Sequence, residues 1–348
     1  MPSQSNPEIS VIVPVHNGGL QLGKCLDALL ESETPAFEVM VVDDGSTDGS
    51  ATAARARGLE VLRLGSRSGP AAARNHGALY ARGSILLFVD ADVVVRKDTL
   101  SRTAALFRAR PEVAAVFGSY DDAPPEMNFV SQYKNLQHHF IHQQSSSKAE
   151  TFWAGCGAVR REAFHDVGGF KAEKYVRPSV EDIELGYRLR RKGYVIALDR
   201  DNQVKHLKRW TFASLLRTDI LNRAVPWSQL ILEDSGMIND LSLRAVDRFS
   251  AALTAMAVVL LALCWFFPIL LPAVLATSVA FFLLNYRFFN FLRLRRGLWF
   301  AGRAIGMLAF YYFYSGTVFI LCYGVFVLRK VMARLGAAAA TSRQISDA

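Results

Sequence analysis

Cysteine is scarce: four in 348 residues (Cys25, Cys156, Cys264 and Cys322), with no CxxC pair and no metal-ligand spacing among them. That excludes a disulfide scaffold and fits a reducing, cytosol-facing setting. Acidic side chains almost vanish from the last hundred residues. There Asp347 stands alone against nine Lys and Arg, so this region carries +8 of the formal net charge of +9. Residues 1–248 are therefore close to neutral, whereas a nucleic-acid binder carries its basic surface on the folded domain. Nucleic acid is excluded as a partner on that ground. Phosphate-binding glycine fingerprints are missing too. After the first apolar run the chain reads HNGGLQLGK, which is neither GxGxxG nor GxxxxGK[ST], and this speaks against a dinucleotide oxidoreductase. The opening MPSQSNPE is polar and runs straight into a strand, so no signal peptide is expected and the neutral part is expected to stay cytosolic. With 51% hydrophobic residues the chain is not disordered.

What is abundant is uncharged apolar length. Residues 249–286 hold no charged side chain over 38 residues, about 57 Å as helix, against a hydrocarbon core of about 30 Å. Pro268 and Pro272 fall mid-run, where a hairpin would turn. The pattern predicts two short passes, 249–267 and 269–287, and a third within the uncharged run 304–328. Between them RFFNFLRLRRG (287–297) is basic and aromatic, as suits the cytoplasmic interface. Three passes leave Arg329, Lys330 and Arg334 outside, against the positive-inside tendency. The alternative is a re-entrant hairpin bending near Ser315 and Gly316.

The first ninety residues alternate short β-branched runs with helical stretches. ISVIVPV (9–15), FEVMVVD (37–43), EVLRL (60–64) and SILLFVD (84–90) are continuous apolar runs, as in strands buried on both faces, with helical periodicity over 20–31, 48–57 and 70–81. This predicts an α/β domain with a mostly parallel sheet and helices on both faces. Ligands of such sheets sit beyond the C-terminal strand edges, here Pro14-Val15-His16-Asn17, Asp43-Asp44-Gly45-Ser46 and Asp90-Ala91-Asp92. An acidic edge repels phosphate unless a cation intervenes. A divalent cation, Mg²⁺ or Mn²⁺, bridging Asp90-Ala91-Asp92 to a diphosphate reconciles the two. A solvated turn is the competing reading of a lone DxD.

VIVPVHNGG, VVDDGSTD, GPAAARNHGA, ILLFVDADV, GCGAVRREAFHDVGGF and VEDIELGYRLRRKGY resemble, in order, the successive blocks of family 2 glycosyltransferases. These are inverting enzymes built on a nucleotide-binding α/β domain of the GT-A type. The resemblance runs from about Ile9 to His206. It implies a nucleotide-sugar donor, of uridine type for preference, and the following site. Asp43 and Asp44 accept from the base imide or the ribose hydroxyls, with Pro14, His16 and Asn17 beside the base. Arg74 and Asn75 open toward the diphosphate. Asp92 is the direct metal ligand, Asp90 assists through ribose or a metal-bound water, and His206 is a further ligand that suits Mn²⁺ better than Mg²⁺. Val93 and Val94 stand where some relatives carry an additional acid. Asp182 is the base that deprotonates the acceptor, and Glu181 beside it, together with burial, raises its pKa. Helix capping is the competing reading for both carboxylates. The segment Trp153-Ala154-Gly155-Cys156-Gly157 floors the sugar sites, with Cys156 as small-residue packing rather than a modification site. Residues 118–150 show no strong pattern and are read as a mobile loop over the acceptor site.

After His206, Phe212, Leu215, Leu216, Ile220 and Leu221 recur at near-helical spacing with Trp210 and Trp227 at the ends, which predicts a helix on the membrane surface. The QxxRW motif of processive relatives is absent; Arg223 stands near its place and is expected at the diphosphate. The expected organisation is a cytosolic GT-A domain over 1–208, an interfacial amphipathic linker over 209–248, a transmembrane region over 249–330 and a tail over 331–348. The function expected is transfer of a sugar to a lipid or lipid-linked acceptor at the inner or plasma membrane. A processive polysaccharide synthase and, further off, a non-catalytic scaffold on the same fold are the alternatives.

Overall fold

The computed structural model describes residues 6–33, 36–233 and 244–346, with side chains in the last helix described as far as Leu335. The chain divides into two compact units, the first ending at Leu215 and the second taking up the rest of the described chain.

The first unit opens with β1 (Ile9–Val15), α1 (Gly19–Leu30), β2 (Phe37–Asp43), α2 (Ser50–Arg55), β3 (Glu60–Arg63), α3 (Pro70–Tyr80) and β4 (Ile85–Val89). These agree with the apolar runs and helical stretches read from the sequence. All seven residues of β1 are buried. The reason is visible in the alternation of side chains along each strand. Val11, Val13, Val41, Leu87 and Val89 enter one apolar cluster. Ile12, Met40, Val42, Leu86 and Phe88 enter a second one on the other face. A strand with apolar residues at both parities is stable only when helices cover both faces. Phe88 packs against Phe164 and Phe170, with ring centroids at 5.5 and 5.2 Å, and burying one such ring contributes about 1.5–3 kcal/mol.

The unit continues with β5 (Val93–Val94), α4 (Thr99–Ala109), β6 (Val113–Tyr120), α5 (Phe129–Gln144), β7 (Lys148–Ala149), β8 (Cys156–Arg160), α6 (Arg161–Asp166), α7 (Glu181–Arg191) and β9 (Val195–His206). The sheet order is β3-β2-β1-β4-β8-β6-β9-β5, with β7 added to β9. Strands β3, β2, β1 and β4 run parallel, as does β9 to β6, whereas β8 is antiparallel to β4 and β6. The sheet is therefore mixed beyond the four strands read from the sequence.

Residues 118–150 are not the mobile loop expected of them. They complete β6 and form α5, a helix of 16 residues whose N-cap Asn128 accepts the Ser131 N–H. The face of α5 that packs inward carries Gln132, Lys134, Asn135, Gln137, His139 and His142, with only Tyr133 and Leu136 apolar among its large side chains. A helix buried through polar groups has no hydrophobic period to read.

The second unit holds the end of α8 (Phe212–Arg217), a π-helical turn (Thr218–Ala224), α9 (Val225–Glu233), α10 (Ala245–Leu263), α11 (Leu271–Leu284), α12 (Tyr286–Arg296) and α13 (Leu298–Ser346). The break between α10 and α11 falls at Pro268 and Pro272, as the prolines predict. A bend of 65° separates Pro268–Leu284 from Tyr286–Arg296. At its corner, buried Asn285 donates from Nδ2 to Ser250 Oγ at 2.8 Å and to the Phe281 carbonyl at 2.9 Å. Helix α13 runs unbroken through Ser315 and Gly316, which removes the re-entrant hairpin, and it continues across most of the segment read as a tail. Ser315 Oγ donates to the carbonyl of Tyr311, inside the helix, so the serine does not break it.

This unit exposes many large apolar side chains and buries several polar ones beside apolar residues such as Phe289, Leu292 and Leu308. Trp265, Ile269 and Trp299 are 87%, 86% and 81% exposed, whereas Ser250, Thr254, Asp219 and Asn285 are buried. Tyr312 donates to Asp247 Oδ1 and Tyr314 to Asp219 Oδ2, both at 2.8 Å, and Arg223 pairs with Asp219 at 3.2 Å. By length and composition, α10 is able to cross a bilayer, and the bent pair α11–α12 would make a second span if it acts as one.

Candidate active site

The C-terminal ends of β1, β2, β4, β6 and β9 converge with the start of β8. The β1–β4 ladder stops at Ile12 and Phe88, whereas β1 follows β2 as far as Val15 and Asp43. Strands β1 and β4 therefore part company at the topological switch point, where open α/β sheets bind ligands. Pro14 stands just past that point, buried within β1, and a residue without an N–H suits a ladder that ends there.

The β2 edge is held by its own carboxylates. Asp43 Oδ1 accepts the Ser46 N–H at 2.8 Å, closing the turn. Its Oδ2 is buried, accepts no hydrogen bond, and has the Arg63 guanidinium at 3.3 Å. Asp44 accepts from the backbone N–H groups of Ser68 and Gly69 at 2.6 and 2.8 Å and so ties this edge to the start of α3. Of the two acids expected at the base and ribose, only Asp43 has an oxygen that accepts no hydrogen bond, and that oxygen is buried and ion-paired with Arg63. His16 places Nδ1 2.9 Å from the Asp44 carbonyl. Asn17, at φ +55°, accepts from the N–H groups of Thr47 and Asp48 through Oδ1 and so clamps the loop after β2 to the loop after β1.

Arg74 and Asn75 do not open toward a diphosphate. Arg74 is 4% exposed and forked between two acids, with Nη2 2.7 Å from Asp90 Oδ1 and Nη1 2.9 Å from Glu181 Oε1, beside the Phe170 ring. Burial opposes its charge, but Asp90, Glu181 and Asp182 outweigh burial and keep it protonated. Asn75 engages the Phe170 backbone through both ends of its amide. Within ARN, Arg74 pairs with the surrounding acids and Asn75 with the Phe170 backbone.

Asp182 lies at the start of α7. Its Oδ2 accepts the Ala154 N–H at 3.0 Å and its Oδ1 the Ile183 N–H at 2.8 Å. Burial, then the charge of Glu181, pushes its carboxyl up to about 7; the two N–H groups and Arg74 pull the other way. The rise expected from burial and Glu181 is present. Glu181 also accepts the Ser179 N–H through Oε2.

Asp92 Oδ2 stands 3.5 Å from His206 Nε2. Burial alone would raise the Asp92 carboxyl, but His206, and more weakly Lys208, hold it below the usual carboxylate range. Strand pairing explains the closeness: His206 sits opposite Val93, and the Leu207 N–H donates to the Asp92 carbonyl at 2.8 Å. No cluster of three or more His, Cys, Asp or Glu suited to a metal occurs among the described residues. The pair nevertheless suits a hard divalent cation that takes one or two protein ligands and completes its shell with phosphate oxygens. Asp90, expected to assist through ribose or a metal-bound water, pairs with Arg74 through Oδ1.

Sequence reasoning passed over an aromatic wall. Tyr120 stacks on His206 with ring centroids 4.3 Å apart and planes 6° apart. Trp153 meets Tyr120 edge-on at 4.7 Å and 85°. His142, pushed down to about 4 by burial and so neutral, packs edge-on to Trp153 at 5.3 Å. Tyr120 ends the apolar run 113–120, so the strand-edge rule that found Asp92 would have found it too. Cys156 is buried and its thiol is pushed up to about 12 by burial, which leaves it inert packing. Gly155 is required by Trp153: a Cβ there would stand 2.4 Å from the indole ring. Gly155→Ala should lower stability by about 1–3 kcal/mol, read as a shift of the denaturation midpoint. Unchanged stability would mean that Trp153 is not fixed as described. Arg223 lies in the second unit, paired with Asp219.

The fold and the edge geometry together are those of a GT-A type domain. Residues 10–168 match the model of the family described as "Glycosyl transferase family 2". It is 31% identical over 171 residues to the Glycosyltransferase AglE of Haloferax volcanii, covering 47% of this chain and 56% of that protein. The chain thus spans about half the length of that curated relative. Among solved structures it is similar to the mannosyltransferase PcManGT from Pyrobaculum calidifontis in complex with GDP-Man and Mn²⁺, at 20% identity and a TM-score of 0.50 over 92% of this chain and 87% of that one. Staphylococcus aureus TarS 1-349 in complex with UDP-GlcNAc gives the same identity and score over 88% and 89%. At that identity the structural likeness establishes the fold.

Proposed function

We propose that this chain is a membrane-anchored inverting glycosyltransferase that moves a sugar from a nucleoside-diphosphate donor, a UDP-sugar for preference, to a lipid or lipid-linked acceptor. The observation that carries this reading is the placement of Asp182. Its carboxyl, pushed up to about 7 by burial and Glu181, accepts the Ala154 N–H just before β8, and the adjacent Glu181 shares Arg74 with Asp90. Asp43 would take the base imide through Oδ2, the oxygen that accepts no hydrogen bond. Asp182 would accept the proton of the acceptor hydroxyl as that oxygen attacks the anomeric carbon in line with the departing diphosphate. Asp92 and His206 would hold the divalent cation, Mn²⁺ or Mg²⁺, whose charge when bound offsets that of the leaving group. Arg223 remains proposed as a diphosphate contact, and Arg223→Ala should weaken UDP binding.

The second unit supports a membrane setting through its exposed apolar side chains. Large exposed apolar surface around buried polar contacts is what a bilayer rewards and water does not. The basic α12, with Arg287, Arg293, Arg295 and Arg296, suits anionic headgroups on the cytoplasmic side of the inner or plasma membrane.

The test is transfer from labelled UDP-sugars by the detergent-solubilised full chain into a lipid extract. The expected outcome is label in the organic phase on a product enlarged by one sugar. Long water-soluble polymer would favour the processive synthase instead. The pH dependence has a definite sign. Asp182 works only when ionised, so kcat/KM should fall as pH drops through about 7. Glu181→Gln removes the like charge and should move that acid limb to lower pH. A wild-type limb below pH 5 would contradict the assignment.

A further inference from the structure

Strand pairing fixes where Asp92 and His206 sit, but it does not fix the plane of the imidazole. The β5–β9 ladder sets the two backbones side by side, while the torsions of the His206 side chain remain free to place Nε2 elsewhere. What lies against that ring is Tyr120, parallel to within 6° at 4.3 Å. Tyr120 is itself held on several sides. It is 6% exposed, its neighbour Asp121 donates its N–H to the Val204 carbonyl at 2.9 Å, and its own carbonyl accepts from His139 Nδ1 at 2.8 Å. Its ring meets Trp153 edge-on and stacks on His138 at 5.8 Å and 24°.

We infer that Tyr120 is a positioning residue for the divalent cation: its ring fixes the plane of the His206 imidazole so that Nε2 and the Asp92 carboxylate face one ion. The inference rests on the proposed metal role of Asp92 and His206 and adds to it the residue that sets their geometry. The chemistry is that of an outer-shell partner. An imidazole that ligates a metal usually has its orientation set by a neighbour, and loss of such a neighbour typically weakens the metal 10–100-fold. Here the neighbour acts through ring stacking. Leucine at position 120 would fill much of the same volume but offers no face to stack on, so the imidazole would pivot. Phenylalanine would keep the face and lose only the hydroxyl.

The experiment is Mn²⁺ binding to the detergent-solubilised full chain with UDP, and with GDP in parallel, followed by electron paramagnetic resonance. Free Mn²⁺ gives the affinity, and pulsed measurement detects nitrogen modulation from a bound imidazole. Wild type should bind Mn²⁺ with nitrogen modulation, and His206→Ala should lose the modulation. Tyr120→Leu should bind Mn²⁺ at least tenfold more weakly with the modulation reduced, and Tyr120→Phe should match wild type. A folded Tyr120→Leu with wild-type affinity and modulation would overturn the inference. So would a folded wild-type complex whose bound Mn²⁺ shows no nitrogen modulation, a result that needs no variant at all. No Mn²⁺ binding by wild type with either nucleotide would instead bring down the metal reading of Asp92 and His206, and the inference with it.

Discussion

Asp182→Asn should lower kcat by about 10²–10⁴-fold, the usual contribution of a positioned base, with the donor KM changed no more than about threefold. The asparagine keeps the shape and, through its carbonyl oxygen, one acceptor for the Ala154 N–H. The substitution therefore removes the proton acceptor and, with it, the oxygen that accepts the Ile183 N–H. It also removes one negative charge from the neighbourhood of Glu181, which offsets part of that loss and should leave the fold intact. Steady-state kinetics with a hydroxyl acceptor, beside a thermal melt, make the check. Tolerance of the substitution would have a specific meaning: the acceptor atom is already ionised, as a phosphate oxygen is at neutral pH, and no base is required.

The second large effect is structural. Arg74→Gln should destabilise the first unit by about 3–5 kcal/mol, the usual result of removing one partner from a buried ion pair. Arg74 is the cation in contact with both Asp90 and Glu181, and it also lowers the pKa of Asp182. Without it these acids face one another in a poorly solvated edge, and the protein relieves the repulsion by protonating one of them or by loosening. Asp182, relieved of a stabilising cation, should titrate higher, so the acid limb of kcat/KM should move up as stability falls. Chemical denaturation and a pH profile of the same variant test both halves. Were Arg74 a diphosphate ligand instead, donor affinity would fall while the denaturation midpoint held, and that result would contradict the network described.

These two residues also mark what the sequence discloses and what it withholds. Asp90 and Asp92 were legible as edge residues because a local rule places them: acids after an apolar strand are at an edge whatever the rest of the chain does. Asp182 was singled out only through the resemblance. The role of Arg74 was not legible. Its partner Glu181 is 107 positions away, and nothing in ARN distinguishes an arginine that meets a phosphate from one that spaces two carboxylates. The His206–Asp92 pair was reached only through the resemblance, because the β5–β9 ladder that joins them comprises two residue pairs. Helix α5 hid for a different reason. Its inward face satisfies itself with hydrogen bonds, such as Asn135 Nδ2 to the Asp121 carbonyl at 2.6 Å and Gln132 Nε2 to the Glu126 carbonyl at 2.7 Å, and hydropathy does not register those. In the helical unit the prolines announced the break after α10. Ser315 and Gly316 suggested one that does not occur, because a serine bonded back to its own helix is compatible with continuing it.

The central claim is that a nucleotide and a divalent cation meet at Asp92. Calorimetric titration of the purified full chain with UDP, with and without Mn²⁺, beside Asp92→Ala, tests it most directly. The account predicts binding that requires Mn²⁺ and disappears in the variant. Binding of equal strength without the metal, or unchanged in Asp92→Ala, would contradict it.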